Sequence, residues 1–176
     1  MREKFPEEVC CKPGCVDCCH ACFDVSLVEM VYIRQGLEKL RDDQTVTAEI
    51  LRGALQAKNE IERHVVASKG PDGSMAYEGI SQWRVKCPML LDGHACAVYE
   101  FRPVTCRVYG LPTSIGGHGH VCGFSGFDKG KSYPTIKLDT IAGYLLELSK
   151  QLATAKNIAA NQAVSRFFLH AIVMDS

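Results

Sequence analysis

Six cysteines fall within thirteen residues, in the run Cys10-Cys11-Lys12-Pro13-Gly14-Cys15-Val16-Asp17-Cys18-Cys19-His20-Ala21-Cys22, and four more follow at Cys87, Cys96, Cys106 and Cys122. A thiolate is a soft anionic ligand suited to zinc, copper(I) and iron–sulfur clusters, and thiols packed this densely would repel or oxidise one another without a cation. Disulfides are the competing reading, at home in small exported domains. The start Met1-Arg2-Glu3-Lys4 shows no apolar signal segment, so a reducing cytoplasm is expected, and adjacent Cys10-Cys11 and Cys18-Cys19 disfavour simple pairing.

Spacing weighs iron–sulfur against zinc. Four-cysteine zinc sites usually combine two close pairs, and here only Cys15/Cys18 and Cys19/Cys22 have that spacing, while the downstream cysteines are spread. Iron–sulfur sites accept spread ligands, and Cys87-Pro88 matches the dipeptide that ends a bacterial ferredoxin motif, so iron–sulfur is the favoured expectation. The C-x3-C-x2-C spacing of Cys11, Cys15 and Cys18 is also that of radical S-adenosylmethionine enzymes. Only ten residues precede Cys11 and helices are expected after it, so the strand–helix units of such a barrel are missing.

Other chemistry is weakly supported. No GxSxG, HExxH or phosphate loop occurs; Gly130-Lys131-Ser132 has Ser125 where a phosphate loop needs its first glycine. His20 lies between cysteines, and His118 and His120 sit in a glycine-rich stretch read as an exposed loop, but ten thiols make an imidazole ligand unnecessary. Tyr99 and Tyr109 read as packing residues. Twenty basic and twenty acidic residues balance, giving no global field for nucleic acid or an anionic membrane, and no run is long enough to span a bilayer.

The elements that must position the cysteines are helical. A first helix is expected from Ser26, where Ser26-Leu27-Val28-Glu29 has the form of a capping box, to about Asp42. A second is expected after Thr47, carrying Ile50, Leu51, Ala54, Leu55, Ile61, Val65 and Val66 until Gly70-Pro71-Asp72-Gly73, so the two span 26–69. Residues 80–135 read as irregular, with a small hairpin turning at Asp92-Gly93. Asp139 is expected to cap a long C-terminal helix over 139–172, with Ile141, Leu145, Leu148, Leu152, Ala155, Ala159 and Phe167 on its apolar face. That face reads as core, with a homodimer contact as the alternative. The expectation is a single domain over 1–176, mainly α with small irregular β content, its helices packed around cysteine-rich segments at 10–22 and 87–122.

Cys15-Val16-Asp17-Cys18-Cys19, Cys87-Pro88-Met89-Leu90 and the block from Cys96 through Tyr99, Arg102-Pro103 and Cys106-Arg107 resemble the CxxCxxCC proteins, the YkgJ-like cysteine cluster family. The resemblance covers roughly residues 10 to 123 and implies a zinc- or iron-chelating domain. It implies eight metal ligands: Cys11, Cys15, Cys18, Cys19, Cys87, Cys96, Cys106 and Cys122. The family's first spacing would put its first cysteine at Lys12, so either one residue is inserted before Cys15 or Cys11 ligates from a slightly different backbone path; Cys10 and Cys22 fall outside the eight. Cys18 and Cys19 are expected to project in different directions, towards two metals or towards different irons of a cluster, and not to one zinc. The arginines Arg102 and Arg107, both within the resemblance, are candidates to donate to a net-anionic cluster; the alternative is a salt bridge to Glu100 or Asp92.

Three functions follow as expectations. The first is an iron–sulfur protein with one or two 4Fe-4S clusters, acting in electron transfer or as a redox accessory with a protein redox partner or client enzyme. The second is a zinc-binding structural or interaction module. The third is a cluster-dependent methyltransferase, implied by the family's flagellin lysine methylase relative and disfavoured by the lack of an S-adenosylmethionine site.

Overall fold

Ser26 starts a helix because Glu29 supplies the acceptor its first turn lacks. In the computed structural model, which describes residues 1–12, 14–68, 80–128 and 130–174, helix α1 runs Leu27–Glu38. The Glu29 carboxylate accepts from the Ser26 N–H at 2.9 Å and from its hydroxyl at 2.7 Å, as the capping pattern predicts. The helix stops at Glu38, short of Asp42, in turns that bond Leu40 N–H to Leu37 and Asp43 N–H to Leu40. Helix α2 runs Gln44–Ala67 and opens before Thr47, because the Asp43 side chain accepts from the N–H groups of Thr45 and Val46, both at 3.1 Å. The breaker Gly70-Pro71-Asp72-Gly73 lies outside the described residues.

The C-terminal region departs from the single helix expected over 139–172. Helix α4 runs Leu138–Ala155, with Lys137 at its N-cap, while Asp139 accepts from the N–H of Gly116 at 2.8 Å instead of capping. Asn157 ends it in the left-handed region at φ 53°. Ile158 N–H then bonds to Ala153 at 2.8 Å and Asn157 N–H to Thr154 at 3.3 Å, the paired bonds of a Schellman stop. Ala160–Ala163 form α5, Phe167–Phe168 the strand β5, and Leu169–Met174 helix α6. Ala159 and Phe167 therefore leave the α4 face, and Leu148 is exposed; Ser149 and Ala153 are its buried residues. The Ser149 hydroxyl donates to Leu145 at 2.7 Å and accepts from Val28 N–H at 3.2 Å, fixing α4 to the start of α1.

Strand β1, Asp24–Val25, pairs antiparallel with β5, matching Val25 to Phe167, and Arg166 donates to Asp24 at 2.7 and 3.0 Å. Between α2 and α4 lie α3, Val104–Val108, and a small sheet of β2, Thr113–Ile115, β3, His118–His120, and β4, Ile136–Lys137. β2 is antiparallel to β3 and parallel to β4. The fold is mainly α with small β content. One core cluster includes Val25, Ile33, Ala54, Met89, Val98 and Ile172, joining the helices to the cysteine-bearing segments. No helix among the described residues is long and apolar enough to cross a membrane.

Candidate metal centre

The cysteine segments are brought together by backbone pairing and by two close approaches to helices. Asp17–His20 form a 3-10 turn, after which the chain runs antiparallel to residues 83–87. Cys22 N–H bonds to Trp83 at 3.2 Å, Val85 N–H to His20 at 3.0 Å and Cys87 N–H to Cys19 at 2.7 Å, which seats Cys87 beside Cys19. The expected hairpin follows: Leu90 bridges Cys96, and Ala97 N–H bonds to Met89 at 2.8 Å. Its left-handed residue is His94, at φ 58°, one place after Gly93.

Helix α3 carries Cys106 and is held by the residue that caps α1: the second Glu29 oxygen accepts from Val104 N–H at 3.0 Å. Glycine allows the helices to meet these loops. A Cβ at Gly36 would stand 2.8 Å from the Phe101 ring, and one at Gly53 would stand 3.1 Å from the backbone of Pro88, next to Cys87. Gly53→Ala is therefore expected to destabilise the fold by about 1–2 kcal/mol, the reverse of the gain of roughly 1 kcal/mol in an unobstructed helix. Urea denaturation decides this, and a gain in stability would show that the approach is not tight.

Two overlapping sets of contacts run among the eight candidate cysteines, with Cys18 in both. Cys19, Cys87, Cys96 and Cys106 are partly covered, and the sulfurs of Cys87 and Cys96 lie within electrostatic reach of Cys19. Cys87 and Cys19 act likewise on Cys106. Cys11, Cys15, Cys18 and Cys122 line one small cavity, together with Cys10, Tyr109 and Phe124. Cys15 N–H bonds to Lys12 at 3.0 Å and Gly14 sits at φ 87°, and Cys11 lines that cavity. Cys18 stands between the two groups: its sulfur lies 3.9 Å from that of Cys19 and is hydrogen-bonded to Cys106. The wide divergence expected of Cys18 and Cys19 does not occur, because a 3-10 turn curls neighbouring side chains where an extended backbone would send them to opposite sides.

Electrostatics distinguish these sulfurs. The thiols of Cys106 and Cys19 hydrogen-bond to Cys18 and hold it far below the ordinary thiol range, and both of those thiols are pushed up in turn. Burial pushes Cys87 up to about 12 and raises Cys96, so neither gives up its proton without a cation. Burial also acts to raise Asp17, but hydrogen bonds from Arg84, Cys122 and Tyr109 outweigh it and hold the carboxyl below its usual range. The Cys122 thiol donates to Asp17 at 3.3 Å, and Arg84 pairs with the other carboxylate oxygen, so Asp17 links the cavity to the 83–87 strand.

Among the described residues, no three histidine, cysteine or carboxylate side chains are already gathered tightly enough to hold a metal ion. The two groups are collections of donors, not finished coordination shells. Their chemistry still fits a thiophilic metal: each offers four sulfurs, and the Arg102 cation acts on Cys11, Cys18 and Cys96.

The arginines have separate roles. Arg102 donates to Tyr99 carbonyl at 2.8 Å and stacks 3.5 Å over the Tyr99 ring, with its charge towards the sulfurs. Arg107 donates to the backbone carbonyls of Arg102 and Glu100, bracing the loop before α3. Asp92, one of the carboxylates considered for these arginines, pairs with Lys86. His118 and His120 lie on exposed β3. Cys22 is buried with Ala57, Ile61, Trp83 and Val85, and burial pushes its thiol up to about 11. Sequence reasoning missed the Asp17–Arg84–Cys122 link and the Val104 bond of Glu29, because their partners lie 67 to 105 positions away in the chain.

Fold and site together define a helix-rich protein that gathers cysteines for metal chelation. The chain belongs to the CxxCxxCC family, whose model matches residues 10–123 and is described as "Putative zinc- or iron-chelating domain". No curated protein and no solved structure matches the chain.

Proposed function

We propose that this CxxCxxCC protein binds iron–sulfur clusters and serves electron transfer or acts as a redox accessory to another enzyme. The observation that carries the reading is the group formed by Cys19, Cys87, Cys96 and Cys106, four sulfurs from three separate stretches, the 3-10 turn, the 87–97 hairpin and α3, around one partly covered region. Clusters accept ligands spread in this way, whereas a zinc knuckle takes them from two short pairs. Cys11, Cys15, Cys18 and Cys122 are the second ligand set, and Arg102 offsets the negative charge that thiolate ligation brings. A cluster so held supplies one-electron redox chemistry; the protein's part is to fix its ligands, shield the covered group and set the potential through Arg102. Ten free thiols suit a reducing compartment such as the cytoplasm.

Zinc is the second reading, and one distance favours it. Two thiolates on one tetrahedral zinc, with Zn–S near 2.3 Å, stand about 3.8 Å apart. The Cys18 and Cys19 sulfurs stand at 3.9 Å, so on this reading they share one ion and the two ligand sets given above for clusters are regrouped around it.

Anaerobic purification followed by iron, sulfide and zinc analysis separates the two. The expected product is brown, carries iron and acid-labile sulfide in equal amounts, and bleaches in air. Colourless protein with stoichiometric zinc would replace the first reading with the second.

A further inference from the structure

A cleft of about 490 Å³ lies between α1, α2 and α6, with aliphatic walls from Leu37, Leu40, Ile50, Leu51 and Val173. Leu51 is 49% exposed and Leu55, one turn further along α2, 53%, so the apolar surface continues from the cleft onto the helix. The charged residues of the lining lie on α1 and the turn after it. Arg41 donates to Glu38 at 2.9 Å, and both of these are exposed. Arg34 is half-buried and also lines a second cleft, of about 270 Å³, with Leu27, Met30 and Phe167, so it has apolar walls on two sides. Arg34 and Arg41 against Glu38 leave the lining one positive charge in excess, which suits a monoanion. A guanidinium takes a carboxylate through two parallel N–H bonds. Among the described residues, no side-chain amide or aromatic hydroxyl lines the cleft, and the Thr47 hydroxyl already donates to the Leu40 carbonyl at 3.2 Å. A peptide laid along these walls would bury amides without partners, a cost that an alkyl chain does not incur.

We propose that this cleft binds a single-chain aliphatic carboxylate, with the alkyl chain along Leu37, Ile50, Leu51 and Val173 and the carboxylate on Arg34. No cysteine lines the cleft, so the site stands whether the thiols carry a cluster, zinc or neither. Its volume falls within the range of small-molecule sites, in which apolar walls supply affinity and a few polar groups fix orientation. The two parts of the ligand then contribute separately. The chain gains by leaving water, so affinity rises with each methylene that reaches the walls, and the head group gains only if it is ionised.

The test uses the anaerobically purified full-length protein and the fluorescent probe dansyl-aminoundecanoic acid, displaced by octanoate, decanoate, dodecanoate and dodecanol below their micelle concentrations. Saturable binding of the probe is expected, with affinity for the alkanoates rising roughly threefold per added methylene. Arg34→Gln should weaken dodecanoate about tenfold or more and leave dodecanol as in the parent. Leu51→Glu, at a position exposed enough to accept the change without unfolding, should weaken every ligand by placing an anion on the apolar wall. Urea midpoints show that both variants are folded. Absence of saturable probe binding overturns the proposal and leaves the cleft to a protein surface. Dodecanol that binds the parent as tightly as dodecanoate overturns the role of Arg34. Dodecanoate affinity unaltered in Leu51→Glu overturns the site, because the ligand would then sit elsewhere.

Discussion

Cys106→Ala and Cys96→Ala are each expected to lower the metal content of the anaerobically prepared protein by roughly half, since each would deprive the proposed covered group of one of its four thiolates. The effect is large because burial works against the remaining ligands. Cys87 and Cys96 are held protonated by their surroundings, so an incomplete group must strip protons from raised thiols with one fewer bond to offset that cost. Cys15→Ala and Cys18→Ala are expected to act similarly on the exposed group, with Cys18→Ala reaching both groups through its contacts with Cys19 and Cys106. Cys22→Ala, by contrast, should keep its full metal content and lose about 1 kcal/mol from a slightly underpacked core. Metal analysis of the five purified variants checks the division. Full metal in Cys106→Ala, or loss in Cys22→Ala, would show that the cysteines are grouped wrongly.

Glu29→Ala is expected to lower stability by about 3 kcal/mol, more than an ordinary helix-cap replacement. Three donors lose their acceptor at once: the Ser26 N–H, the Ser26 hydroxyl and the Val104 N–H. Glu29 and Ser26 are both buried, so water does not simply take over. The loss should also reach the metal group, since the Val104 bond anchors the first turn of the helix that carries Cys106. Urea denaturation of the metal-loaded protein measures the effect, with Ser26→Ala as the comparison that removes only the hydroxyl. A Glu29→Ala loss below about 0.5 kcal/mol would mean that the capping carboxylate does not tie the two helices together.

The Ser26–Glu29 pair shows what the sequence conveys and what it withholds. Its local half was legible, because a capping box is written in four consecutive residues. Its distant half, the bond to Val104, has no local signature. The same division holds elsewhere. The hairpin at Asp92-Gly93 was readable from turn chemistry, whereas the approach of Gly53 to Pro88 depends on how a helix lies against a loop. Asn157 was missed because an apolar period continued past it, and one asparagine in the left-handed region outweighs that pattern when a Schellman pair forms. The eight candidate ligands came from the family resemblance, but their division into two sets required the 3-10 turn at Asp17–His20 and the pairing that follows it.

That pairing, between residues 19–22 and 83–87, closes a ring of chain through α1 and α2. Bringing together the ends of a flexible loop of about 65 residues costs roughly 4 kcal/mol in chain entropy. If the chain between them were unstructured, an ion bridging Cys19 and Cys87 would have to overcome that cost itself. Here the helices and the backbone ladder oppose it, so the metal meets a ring already shut. The linkage runs both ways. A substitution that loosens the packing of α1 and α2 on α6 is expected to weaken metal binding without touching a sulfur, and bound metal in turn to resist the unfolding of helices that carry no ligand at all.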